Sequence, residues 1–98
     1  ATHFSTVSIS ELVIKNMLGR IDLPGRDRFP NAFSDAGLRE LPFTSEHAAA
    51  MLRFPALVRH DPFDRMILAQ ASAERMTLLT ADATLLALGE RWIQDARI

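Results

Sequence analysis

The sequence predicts an α/β domain with a mainly parallel sheet, on three observations. Short β-branched or apolar runs alternate with segments of helical periodicity along the chain. Glycine, proline and short polar residues punctuate the changes from one to the next. No internal repeat or low-complexity stretch interrupts that order.

The elements follow in turn. "STVSIS" reads as a short strand ending near Ser8. "ISELVIKNMLG" reads as a helix with Ile9, Leu12, Val13 and Met17 near one face and Gly19 as C-cap. Ser8 is placed to cap it, with Glu11 at capping-box spacing. "RIDLPGRDRFPN" is a loop broken by Pro24, Gly25 and Pro30, and a short helix follows over about Asn31 to Asp35, ended by Gly37. "LRELPF" reads as a strand centred on Leu41. Thr44 or Ser45 then caps a helix through "EHAAAMLRF", which Pro55 stops. "ALVRH" is a connector. Asp61, Pro62 and Asp64 fall at N-cap, N1 and N3 of a helix running to about Arg75, with Phe63, Ile67, Leu68 and Ala71 as its apolar stripe. "MTLLTA" reads as a short buried strand, "DATLLALGE" as a helix between Asp82 and Gly89, and "RWIQDARI" as a last strand.

Composition limits what such a chain does. Its 98 residues make one domain with a modest core, 48% hydrophobic and 23% charged. A net charge of −1 steers it toward neither nucleic acid nor membrane. Of the 11 basic residues only Lys15 is a lysine. The absence of cysteine excludes disulfides and thiolate metal sites. No apolar run approaches a membrane span and no signal peptide is visible, so a cytoplasmic protein is expected.

The chemistry rests on carboxylates. In parallel sheets ligand sites gather at the carboxyl ends of strands. Glu11 and Asp82 each follow a strand, and Asp64 opens the helix that feeds the strand before Asp82. Three such carboxylates without a Cys or His partner suit a hard cation, Mg²⁺ or Mn²⁺, and with it phosphodiester hydrolysis. Each residue also has a plainer role. Asp61 and Asp82 are N-cap candidates, Asp64 suits the helix macrodipole, and Glu11 completes a capping box. His60 reads as a solvated or hydrogen-bonded side chain rather than an acid–base group. Arg59 and Arg65 either bind phosphate or neutralise the aspartates, and Thr80 either orients a ligand or is a β-branched strand residue. Ser5, Ser8 and Ser10 have no positioned base, which leaves a serine hydrolase without support. There is no glycine-rich phosphate loop.

"RHDPFDRMILAQASAERMTLLTAD" closely resembles the signature of PIN-domain toxins of the VapC type, from bacterial toxin–antitoxin pairs. "VSISELVIKNMLGRIDLP" resembles the family's second acidic motif, and "GLRELPFTSEHAAAMLRFPALVRHDPFDR" its middle region, so nearly the whole chain is covered. The resemblance implies a three-layer α/β/α fold and a Mg²⁺- or Mn²⁺-dependent endoribonuclease. Glu11, Asp64 and Asp82 would be its catalytic metal ligands, with Thr80 beside them and Asp61 capping the helix. Arg59 and Arg65 would serve the RNA backbone. It further implies inhibition by a cognate antitoxin and a homodimer.

The family opens with an apolar strand carrying its first metal-binding aspartate, whereas "ATHFSTVSIS" contains no Asp or Glu. Residues 1–98 are therefore expected to be a single PIN-like domain lacking its N-terminal, central strand, and inactive as this chain alone. The alternative expectation is an incomplete PIN-like module that binds an antitoxin or RNA without cutting.

Overall fold

Residues 2–97 are described by a computed structural model. The chain divides into two compact units, residues 1–44 and 45–98, each of which carries a two-stranded parallel ladder. The parallel α/β organisation expected from the sequence is present in both.

In the first unit β1 (His3–Ser5) pairs with β2 (Arg39–Leu41), and α1 (Thr6–Met17) and α2 (Asn31–Asp35) lie between them in the chain. The first strand ends at Ser5, not near Ser8, because the Ser5 side chain accepts the Val7 N–H and starts the helix three residues early. Ser8 is thus inside α1, and Glu11 forms no capping box with it. Glu11 lies instead 3.2 Å from Lys15 one turn on. Met17, assigned to the apolar face, is 79% exposed. Gly19 takes the left-handed position after the helix, as expected. The loop after α1 contains a 3₁₀ turn over Arg26–Arg28. Gly25 precedes that turn at φ +76°, and a side chain there would run into the Ala32 methyl. Phe4 of β1 stacks on Phe33 of α2 at 5.2 Å, and Phe29 meets Phe33 edge-on at 6.2 Å. Strand β2 centres on Glu40 rather than Leu41, and Glu40 accepts a hydrogen bond from the Thr6 hydroxyl at 2.7 Å.

The second unit holds α3 (Ser45–Ala50), α4 (Pro62–Glu74), β3 (Leu78–Thr80), α5 (Ala83–Leu86) and β4 (Ile93–Asp95). Helix α3 is shorter than expected, giving way to 3₁₀ turns at Met51–Arg53 and Pro55–Leu57, since Pro55 removes a donor and restricts Phe54. Leu57, Leu68, Ala71, Leu78, Leu85 and Ile93 form one buried cluster, flanked by Phe54 and Trp92. Leu68 and Leu85 are fully enclosed, so truncating either to Ala costs about 2–5 kcal/mol. The predicted stripe of α4 is present, with Leu68 and Ala71 buried and Phe63 and Ile67 half-buried. Strand β3 is not wholly buried: Leu78 faces the cluster while Leu79, on the opposite face, is 62% exposed. His47 of α3 is 3% exposed and is clasped between Glu74 (2.7 Å) and Gln70 (3.5 Å) of α4. That clasp satisfies the buried imidazole and ties α3 to α4. No helix among the described residues is long and apolar enough to cross a membrane.

Candidate metal centre

Three segments of the second unit meet at the carboxyl end of β3: the turn before α4, the first turn of α4, and the turn from β3 into α5. Parallel pairing of Leu78 with Ile93 and of Thr80 with Asp95 puts both strand ends on that side.

Helix α4 starts because Asp61 is an N-cap. Its Oδ1 accepts the Asp64 N–H at 3.1 Å, and Pro62 occupies N1, where a missing donor costs nothing. Asp61 is exposed and occupied with the backbone, whereas Asp64 at N3 is half-buried. Below β3, the Thr80 hydroxyl accepts the Asp82 N–H at 3.0 Å, which turns Asp82 into the N-cap of α5. Asp82 Oδ2 accepts the Leu85 N–H at 2.9 Å.

These two turns bring Asp64 and Asp82 to one place, around a third residue. His60 Nε2 lies 3.4 Å from Asp64 Oδ2 and 3.4 Å from Asp82 Oδ2. One ligand atom from each of the three lies within 4.8 Å of the others. The side chains of His60, Asp64 and Asp82 are 21%, 30% and 29% exposed, so the group sits at a sheltered surface. His60 Nε2 is itself inaccessible and makes no hydrogen bond, its 3.4 Å approaches to the two carboxylates lacking hydrogen-bond alignment. Two carboxylates and an imidazole nitrogen converging in this way fit a divalent cation.

The expected residues therefore fare differently. Asp64 and Asp82 are together, Thr80 positions Asp82, and Asp61 caps the helix. Arg59 is exposed and Arg65 half-buried, beside the cluster in sequence. Glu11 belongs to the first unit, half-buried and paired with Lys15. The donor set expected from the sequence is all carboxylate, and the structure places His60, expected to be solvated or hydrogen-bonded, beside Asp64 and Asp82. Its spacing of four from Asp64 was the available signal: a residue just before the N-cap lies beside N3. Asp95, paired in register with Thr80, is held elsewhere. Side-chain and backbone hydrogen bonds from Arg97 keep its carboxyl below the usual range, and its partner's guanidinium is shifted up.

Searches of curated proteins and of solved structures returned no match. The family model described as PIN domain matches residues 1–90, which spans both units and all of Glu11, His60, Asp64 and Asp82. PIN domains are generally metal-dependent nucleases, and this α/β chain has parallel strands with an acidic cluster at a strand end. This chain belongs to the PIN-domain family.

Proposed function

We propose that the protein is an endoribonuclease of the VapC type that uses Mg²⁺ or Mn²⁺ and is neutralised by a cognate antitoxin. The observation that carries this reading is the convergence of Asp64 and Asp82 at the carboxyl end of β3 in a chain of the PIN family. A bound divalent cation would lower the pKa of a water and neutralise charge on a phosphodiester.

The chain's own residues have separable tasks. Asp64 and Asp82 hold the cation: the Asp61 cap fixes the backbone of Asp64, and the Leu85 N–H orients the Asp82 carboxylate. Thr80 fixes the turn that aims Asp82. Glu11 is assigned as a further metal ligand on the resemblance of its motif, and residues 1–98 are taken as one PIN-like domain. Arg59 and Arg65 hold the RNA backbone, for which guanidinium is suited. A homodimer and an antitoxin partner belong to the same reading.

The test is cleavage of RNA by the full-length protein, with and without Mg²⁺ or Mn²⁺. Cleavage is expected only with metal, and Asp64→Asn is expected to abolish it with the fold intact by circular dichroism. Undiminished cleavage by that variant removes Asp64 from the mechanism. RNA bound but uncut under both metals favours the incomplete binding module instead.

A further inference from the structure

We infer that His60 is a third protein ligand of the metal and the residue that biases this centre from Mg²⁺ toward Mn²⁺ and similar nitrogen-accepting cations. The inference rests on the metal-dependent reading above and adds to it a residue and a selectivity.

Geometry is the first argument. His60 Nε2 stands 3.4 Å from a carboxylate oxygen on each side. Two donors each about 2.1 Å from a shared cation and 3.4 Å apart subtend roughly 110°, an angle ordinary for a four-coordinate or distorted six-coordinate site. The spacing thus needs little rearrangement to close on an ion.

Satisfaction of polar atoms is the second. A buried imidazole nitrogen without a hydrogen bond is uncommon and calls for a reason. His47, the buried histidine of α3, shows the ordinary solution, with a partner at 2.7 Å on Nε2. His60 Nε2 has no such bond and is aimed between the two carboxylates that would bind the cation. A role confined to hydrogen-bonding one aspartate would align the ring on that aspartate, whereas Nε2 is equidistant from both.

The chemistry of the donors gives the selectivity. Mg²⁺ keeps oxygen ligands and waters, while imidazole suits the transition ions. Exchanging the imidazole for water therefore penalises Mn²⁺ and leaves Mg²⁺ nearly as before.

The experiment is Mn²⁺ binding followed by electron paramagnetic resonance, with pulsed detection of ¹⁴N coupling to the bound ion and with Mg²⁺ as competitor. The wild-type protein is expected to show imidazole ¹⁴N coupling. His60→Ala and His60→Gln are expected to lose the coupling and about tenfold or more in Mn²⁺ affinity. Their Mg²⁺ affinity should change by less than about threefold, on the ligand preferences above. His3→Ala should keep the coupling. Mn²⁺ bound at a site that Asp82→Asn destroys, yet without ¹⁴N coupling, overturns the role of His60 and leaves the metal site standing. Coupling that survives in both His60 variants, or an equal loss of Mn²⁺ and Mg²⁺ affinity, also overturns it. Absence of any Mn²⁺ binding by the wild type takes down the metal-dependent reading and this inference together.

Discussion

The starts of α4 and α5 solve the same problem in two ways. Both helices open with an aspartate N-cap, and both contribute a carboxylate to the cluster around His60. At α4 the tasks are divided: Asp61 accepts the backbone N–H and Asp64, one turn in, faces the cluster. At α5 they are merged, since Asp82 Oδ2 accepts from Leu85 and also stands 3.4 Å from His60. Division lets the helix form whatever the state of the proposed metal site. Merging couples the geometry of the site to the helix, and Thr80 stiffens the turn on which both depend.

Substitutions can separate these tasks. The largest effect is expected for Asp82→Ala, which removes the cap and the proposed metal ligand together. Metal binding should be lost and metal-free stability should fall by about 1 kcal/mol in urea unfolding. Asp82→Asn is the sharper probe, because asparagine caps as well as aspartate but lacks the charge. It should lose metal binding and stay within about 0.5 kcal/mol of wild type in metal-free unfolding. A full loss of stability in Asp82→Asn would mean that the charge itself, not the cap, holds α5. Next comes Asp61→Ala, expected to cost about 1 kcal/mol of stability while leaving metal binding in place. The smallest effect lies at the far end of α4, where Arg75 caps the helix in the left-handed region at φ +55°. Arg75→Gly should raise stability by up to about 1 kcal/mol in thermal unfolding and leave the metal response unchanged.

How much of this was legible beforehand depended on whether local rules decided the outcome. The start of α4 was readable in full, because an Asp-Pro pair before an apolar stripe has few other uses. The start of α1 lies three residues before the Ser8 cap that the sequence suggests. Its sequence offers serines at 5, 8 and 10, each a legitimate cap, and the choice of Ser5 goes with the pairing of β1 and β2, a long-range event. The exposure of Leu79 and Met17 likewise follows from tertiary packing rather than propensity. That Asp64 and Asp82 lie together follows from strand-end placement and from the resemblance of their motifs. His60 was missed because a lone histidine in a loop carries no periodic signal, and only the meeting of two turns gives it neighbours.

The most direct test of the central claim is a paired one, the Mn²⁺-induced rise in stability of Asp61→Asn and of Asp64→Asn. Metal at a hundredfold excess over its dissociation constant stabilises a folded protein by about 2.7 kcal/mol when the unfolded chain does not bind it. Asp61→Asn should keep that rise, because its carboxylate is spent on the helix. Asp64→Asn should lose most of it. The reverse pattern, with Asp64→Asn responding fully to metal and Asp61→Asn not at all, would contradict the division of tasks at α4 and the metal centre built on it.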